Sequence, residues 1–208
     1  IKNDFLRERY EFLLRECNWQ FVINSGKTQG ITYPAGRLPD MMGDNKMWGF
    51  AIFDEHCEPP YVITSTDGSI AGDSKYQWMF DMVSYITQQL GEVPFEVWSL
   101  HMNGQTSNLD AAVHADTGDN LIIYLTPDWK PEWGGEIAFY NEEKDETPIQ
   151  TVDYVSGRVV FFHGVEGHKE GYPFTPRFIN EKPVWHQGRG PNADCHELRI
   201  SLNVRGKW

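Results

Sequence analysis

The sequence has few cysteines for its length. Cys17, Cys57 and Cys195 are the three cysteines among 208 residues, and they lie far apart. An odd number of widely spaced cysteines is not a disulfide framework, and no Cys-x-x-Cys pair offers a zinc knuckle. The expected compartment is therefore a reducing cytoplasm.

Long apolar runs are also absent, and basic residues are in the minority. No run reaches the length of about 18 apolar residues that a membrane-spanning helix needs, so no membrane span is expected. Lys and Arg number 18 against 30 Asp and Glu, which gives a formal net charge of −12. Duplex DNA and anionic membranes bind basic surfaces, so neither is an expected partner. A peptide or protein, or a small molecule, remains as the expected partner; the oligomeric state is left open.

The 40% hydrophobic content is enough for one domain with a sizeable core, here residues 1–208. Apolar residues recur at helical spacing over 3–16 and 74–90, and Gly91 is placed to end the second helix. Residues 1–94 are therefore expected to form a helical and loop support for the rest of the chain.

From residue 95 onward the pattern changes to short strands separated by turn residues, which is typical of a β-sandwich or barrel. The expected fold class is mainly β with flanking helices (α+β). Residues 170–198 are expected to be an irregular, lid-like insertion in the core region 95–205. The predicted strands lie near 95–102, 111–116, 120–126, 136–141, 149–154, 158–163 and 199–205.

The tetrapeptide V-H-A-D at 113–116 places a histidine and an aspartate two positions apart. Chance predicts about 0.5 matches to His-x-Asp, and residues 56–58 and 168–170 have a similar form, so the motif alone is weak. In an extended strand, residues i and i+2 point to the same face. His114 and Asp116 can therefore present a ring nitrogen and a carboxylate oxygen to one point, as two metal ligands would.

A triad of two histidines and one carboxylate, which suits non-haem iron(II), needs one more histidine. The apolar strand 159–162 leads directly into His163, and His168 follows after a glycine-containing turn. His186 and His196, in the polar segment further on, are additional candidates. The residues themselves leave this choice open.

Four features occur in order along the second half of the chain. His-x-Asp is followed about twenty residues later by W-G-G-E at 133–136, then by the strand V-V-F-F-H at 159–163, and then by R-I-S at 199–201. Each feature is weak alone, but the ordered set is specific. Over about residues 95–205 the sequence resembles the iron(II)- and 2-oxoglutarate-dependent dioxygenases, in the prolyl 4-hydroxylase-like branch.

The resemblance implies a double-stranded β-helix (jelly-roll or cupin-like) core and a set of site residues. His114, Asp116 and His168 would be the catalytic iron ligands, with His163 as the alternative to His168. Arg199 would bind the distal carboxylate of 2-oxoglutarate as a bidentate fork, with Ser201 donating a hydrogen bond beside it.

The same resemblance implies roles for further residues. Tyr124 would add a phenol to the same carboxylate, or serve as a core tyrosine. Arg177 lies nearer His168 and is the rival of Arg199. The W-G-G-E segment is interpreted as architectural, because its glycines allow a tight entry into a strand.

The implied activity is hydroxylation of an unactivated C–H bond, with Fe(II), 2-oxoglutarate and O2 required and ascorbate as a further cofactor that the resemblance allows. A prolyl residue of a peptide or protein is the first substrate considered, and a free amino acid or other small molecule is the alternative. The loops 25–47 and 170–198 are expected to bind the substrate. A non-catalytic metal-binding barrel module and a zinc hydrolase are alternatives of other classes.

Overall fold

The computed structural model describes residues 1–17, 19–23, 46–54, 61–63, 76–91, 95–116, 118–164 and 183–207. Of residues 20–23, 46–54 and 61–63 it describes the backbone alone. His168 and Arg177 lie outside the described residues, as does most of the predicted loop 25–47 and the first half of the predicted insertion 170–198.

Two helices and ten strands follow one another along the described chain. The helices are α1 (Asn3–Glu16) and α2 (Gln77–Leu90). The strands are β1 (Gln20–Ile23), β2 (Lys46–Asp54), β3 (Tyr61–Ile63), β4 (Phe95–Gln105), β5 (Asp119–Tyr124), β6 (Ile137–Tyr140), β7 (Gln150–Val152), β8 (Val159–His163), β9 (Trp185–Gly188) and β10 (Arg199–Lys207).

Both predicted helices are confirmed, and both are amphipathic. In α1 the buried residues Leu6, Tyr10 and Leu13 recur at helical spacing on one face. Helix α2 buries a stripe that includes Met79 and Val83. It ends at Gly91, whose left-handed φ of 75° lets its backbone N–H reach the last carbonyls of the helix.

The strands form two antiparallel sheets. The larger has seven strands in the order β1-β2-β4-β10-β5-β8, with β3 also paired to β4. The smaller has the order β7-β6-β9. Strands β4 and β10 lie at the centre of the large sheet, where Arg199 pairs with Gln105 and Arg205 pairs with Ser99.

The large sheet has an apolar face and a polar face at its centre. Ile200, Leu202 and Val204 of β10 are buried in one core with apolar residues of α1 and α2. The alternate residues of β10, from Arg199 to Arg205, point to the other face, as the period of two predicts. A second, smaller core, which contains Tyr124, Ile137 and Tyr154, joins the two sheets.

The architecture is mostly β with two helices and antiparallel sheets, consistent with the expected α+β class. Six of the seven predicted strands are present with shifted ends. In the described part of the chain, neither helix is long and apolar enough to cross a membrane. A single domain over 1–208 stays a prediction.

Three local predictions were wrong. Residues 1–94 contain not only helices and loops but also β1, β2 and β3, which extend the large sheet. Residues 111–116 are not a continuous strand, because only His114 makes a β-bridge there. The predicted irregular insertion contains the regular strand β9, which pairs with β6.

Candidate metal centre

Two histidines far apart in the sequence are joined by their backbones. His114 and His186 form an isolated antiparallel bridge, in which each backbone N–H donates to the other's carbonyl at 3.0 and 2.8 Å. Their ring centroids are 4.3 Å apart. The strand β9 thus fixes His186 beside the segment that carries V-H-A-D.

Asp116 completes a cluster with these two histidines. Its Oδ2 lies 3.5 Å from Nε2 of His186 and 3.9 Å from Nε2 of His114. One ligating atom from each of the three residues lies within 4.8 Å of the others. His186 is buried, whereas His114 and Asp116 keep 24% of their side-chain surface exposed. The cluster therefore has a buried side and an accessible side.

A hydrogen bond of the same kind orients each of the two imidazole rings. Nδ1 of His114 lies 2.9 Å from the carbonyl of Ala112, and Nδ1 of His186 lies 3.0 Å from the carbonyl of Val184. A carbonyl oxygen only accepts, so each Nδ1 carries the proton and donates it. A ring that is neutral and protonated at Nδ1 has its lone pair on Nε2, the nitrogen that a metal ligand would use in this cluster.

The electrostatics at His114 and Asp116 also favour the protonation states that bind metals. Burial lowers the pKa of His114, and its electrostatic interactions with His186 and Arg205 lower it further, although Asp116 opposes them. For Asp116, burial favours the neutral acid. The interactions of its carboxylate with His186, His114 and Arg205 outweigh burial and hold its pKa below the usual range. Neutral imidazole and ionised carboxylate are the forms that bind metals.

Arg205 is the cation nearest to Asp116 among the ion pairs of the described residues. Its Nη1 lies 3.8 Å from Oδ1 of Asp116, and its Nε donates to Oγ of Ser99 at 3.0 Å. A β-bulge follows immediately: Arg205 pairs with Ser99, but Gly206 pairs with Val97. A Cβ on Gly206 would lie 2.3 Å from the carbonyl of Glu96, so the bulge needs glycine.

Arg199 lies on the same face of β10 and is 2% exposed. Its Nε donates to the carbonyl of Gly135 at 2.7 Å, and its Nη1 donates to Oε1 of Gln105 at 2.5 Å. Both acceptors are neutral, and none of the ion pairs between described residues involves Arg199. A buried guanidinium without a carboxylate partner is costly, so this arrangement suits an anionic ligand.

Two stacked tyrosines lie under the Arg199 guanidinium. The rings of Tyr124 and Tyr154 are 4.1 Å apart and nearly parallel, and the guanidinium carbon of Arg199 lies 5.4 and 4.9 Å from them. The Tyr154 hydroxyl donates to the carbonyl of Ile200 and accepts from the N–H of Thr126. Burial raises the pKa of Tyr154 to about 12.

The Tyr124 hydroxyl differs from that of its stacked partner. It is fully buried and has no hydrogen-bond partner among the described residues. Burial raises its pKa, with the Arg199 charge opposing. A buried phenol without a hydrogen-bond partner, beside a guanidinium without a carboxylate partner among the described residues, is an arrangement that suits a bound carboxylate.

The W-G-G-E segment holds Arg199 in position. Gly135 has a φ of 82°, and a Cβ there would lie 3.0 Å from Trp129 and 3.1 Å from Cδ of Arg199. The Trp129 indole in turn donates to the carbonyl of Gly134 at 2.9 Å. Glycine at 135 therefore permits the close approach through which its carbonyl accepts from Arg199.

Gln105 connects the two halves of the site. While its oxygen accepts from Arg199, its Nε2 donates to the carbonyls of Leu109 and Gly188, each at 2.9 Å. Leu109 precedes the segment that carries His114, and Gly188 lies two residues after His186. One side chain thus connects the buried guanidinium to both segments that carry the histidines of the cluster.

The donor set fits iron(II). Two neutral imidazoles and one carboxylate on adjacent segments form the 2-His-1-carboxylate set that leaves coordination positions for other molecules. Among the described residues, Arg199 has no carboxylate partner and the Tyr124 hydroxyl has no hydrogen-bond partner, so both fit the distal carboxylate of a dicarboxylate bound beside the metal.

The structure brings together some of the predicted site residues. His114 and Asp116 lie in the cluster, and Arg199, Tyr124 and Ser201 are buried near one another on β5 and β10. The Ser201 hydroxyl accepts from Asn203 at 3.2 Å. His168, the predicted third ligand, lies outside the described residues, so its role stays a prediction.

The other histidines considered as third ligand are described. His163 is 73% exposed at its side chain and pairs with Asp119 at 2.8 Å, away from the cluster. His196 is exposed. Among the described residues, the third member of the cluster is His186. The sequence signal for it was the stretch V-W-H-Q-G, whose flanking prolines and glycines suggested an irregular loop.

The fold is similar to that of an oxygenase of known structure. An oxidoreductase of the 2OG-Fe(II) oxygenase family from Burkholderia pseudomallei matches with a TM-score of 0.51 and 11% identity, over 97% of this chain and 78% of that chain. A Pseudomonas putida prolyl-4-hydroxylase matches with a TM-score of 0.44 and 16% identity, over 98% of this chain and 100% of that chain. No protein-family model and no curated protein matches the sequence. At the level of the fold, the predicted resemblance to 2-oxoglutarate-dependent oxygenases is confirmed.

Proposed function

We propose that the chain is an iron(II)- and 2-oxoglutarate-dependent oxygenase that hydroxylates an unactivated C–H bond. The observation that carries the proposal is a pairing of two features: a His-Asp-His cluster, and a buried Arg199 with no carboxylate partner among the described residues. A zinc hydrolase would use the first feature but gives no reason for the second. The double-stranded β-helix core is part of the proposal.

The chain's residues have distinct tasks in this reaction. His114, Asp116 and His186 would hold the iron, which, when bound, activates O2 as 2-oxoglutarate is oxidised to succinate and CO2. Arg199 would bind the distal carboxylate of 2-oxoglutarate through charge-assisted hydrogen bonds. Tyr124 would donate a hydrogen bond from its phenol to the same carboxylate. Ser201 lines the same face of β10.

The substrate is proposed from the sequence resemblance alone. A prolyl residue of a peptide or protein is the first candidate, and a free amino acid or another small molecule is the alternative. Mass spectrometry of proline-containing peptides and of free amino acids after turnover would distinguish them, because the hydroxylated product gains one oxygen atom.

The test of the activity uses the full chain, purified without oxygen. Adding Fe(II) and 2-oxoglutarate should produce a visible charge-transfer band, and admitting O2 should release succinate. An absence of both the band and succinate formation would contradict the proposal. Hydrolytic activity with Zn(II) instead would favour the hydrolase.

The third ligand is tested by four single substitutions. We expect His114→Ala and His186→Ala to abolish Fe(II) binding, and His163→Ala to leave it unchanged. His168→Ala distinguishes the two assignments of the third ligand. Loss of iron binding in His168→Ala but not in His186→Ala would make His168 the third ligand, as the sequence resemblance implies.

A further inference from the structure

The two oxygens of Asp116 face different partners. Oδ2 is directed to Nε2 of His186 and of His114, at 3.5 and 3.9 Å. Oδ1 instead faces Nη1 of Arg205 at 3.8 Å. A carboxylate in this orientation offers one oxygen to a metal between the histidines and the other to the guanidinium.

Arg205 is held in this place by its own surroundings. Its Nε donates to Oγ of Ser99, which is 4% exposed. The bulge between Arg205 and Gly206 changes the register beside it, and bulges commonly re-aim a side chain next to a functional site. Only 24% of the Arg205 side chain is exposed, so its charge is poorly screened by water.

We propose that Arg205 is a positioning residue that restricts Asp116 to binding the metal through Oδ2 alone. This inference rests on the proposed function. A guanidinium and a divalent metal repel each other at short range, so both cannot approach Oδ1. Without Arg205, Asp116 can turn and bind the metal through both oxygens, which takes up one further coordination position. Arg205 thereby keeps that position open for 2-oxoglutarate or O2.

The inference predicts opposite effects on two affinities. In Arg205→Gln, removal of the positive charge and release of Oδ1 should tighten Mn(II) binding by about tenfold. 2-Oxoglutarate should bind the Mn(II)-loaded variant at least about tenfold more weakly, because fewer coordination positions are open. Electron paramagnetic resonance of free Mn(II) gives the first affinity, and titration calorimetry on the Mn(II)-loaded protein gives the second.

Matched variants separate this effect from a loss of structure. Arg15→Gln removes an exposed arginine that pairs with Glu11 on α1, and both affinities should equal those of the wild type. Ser99→Ala removes the hydrogen bond that holds Arg205, and both affinities should change in the same directions as in Arg205→Gln but by less. A melting temperature measured for each variant reports whether it is folded.

Each alternative outcome has a separate meaning. If Arg205→Gln weakens both affinities, its role is structural and the proposal is overturned. If Arg205→Gln weakens 2-oxoglutarate binding and leaves Mn(II) affinity unchanged, Arg205 contacts the co-substrate directly. This result also overturns the proposal. If the wild type binds Mn(II) and 2-oxoglutarate and Arg205→Gln has the same two affinities, the inference about Arg205 fails and the proposed function stands. A wild type that binds neither contradicts the proposed function as well.

Discussion

At the level of single residues, the hydroxyl of Tyr124 is unusual for a packed protein interior and is better explained by a binding site. Tyr154, stacked on it, has both a donor and an acceptor partner, as buried phenols usually do. The Tyr124 hydroxyl is equally buried and has none among the described residues. Within the described residues, this group contributes a desolvation cost and no hydrogen bond.

Tyr124→Phe should therefore separate stability from binding. Removing an unsatisfied buried hydroxyl should leave the free energy of unfolding unchanged or raise it by about 1 kcal/mol. The same change should weaken 2-oxoglutarate binding by about 1.5–3 kcal/mol, the range for a hydrogen bond to a charged group. Thermal melts and titration calorimetry measure the two quantities. A destabilised variant with unchanged 2-oxoglutarate affinity would assign Tyr124 to packing.

At the scale of elements, β10 serves two functions through the two faces of one strand. Its odd-numbered residues, from Arg199 to Arg205, contribute to the polar face of the site, whereas Ile200, Leu202 and Val204 pack against the helices. Because successive side chains point in opposite directions, substitutions on the two faces should have separable effects.

Leu202→Ala tests this separation. Leu202 is fully buried in the core with α1 and α2, so its truncation should lower the free energy of unfolding by about 2–5 kcal/mol. The affinity for 2-oxoglutarate should remain that of the wild type at temperatures where the variant is folded. Denaturant titration gives the first value and calorimetry the second. A large loss of affinity in the folded variant would show that the two faces are coupled.

The glycine pair before β6 provides a second test at this scale. Gly134 and Gly135 both have positive φ, but only a Cβ at Gly135 would crowd Trp129 and Arg199. Ala at either position should cost about 1–3 kcal/mol of stability from backbone strain. Gly135→Ala alone should also displace Arg199 and weaken 2-oxoglutarate binding. Equal binding by the two variants, measured by calorimetry, would contradict this role.

For the molecule as a whole, the centre of the site joins segments from both sheets. β5 and β10 belong to the large sheet, and β9 belongs to the small one. A metal that binds the folded state alone must stabilise it by mass action. Mn(II) should therefore raise the melting temperature of the wild type, EDTA should reverse the shift, and His114→Ala should show no shift in differential scanning fluorimetry.

The parts of this arrangement that follow from local patterns were predictable from the sequence. Helical spacing predicted α1 and α2, and alternation of apolar and polar residues predicted β10 and its two faces. The spacing of His114 and Asp116 predicted two members of the cluster. The sequence could not rank His186 first, because its place depends on the pairing of β9 with β6 and on the bridge to His114. Such long-range pairing is not encoded in any local pattern.

The bridge between His114 and His186 has a consequence for folding. The two residues are about 70 positions apart, so in the unfolded chain their meeting requires closing a long loop, at a large cost in conformational entropy. A metal bound by both would act as a reversible cross-link, comparable to a disulfide that closes a loop of this length. In the assembled protein, iron would then join β9 of the small sheet to the segment between β4 and β5, as well as take part in the chemistry.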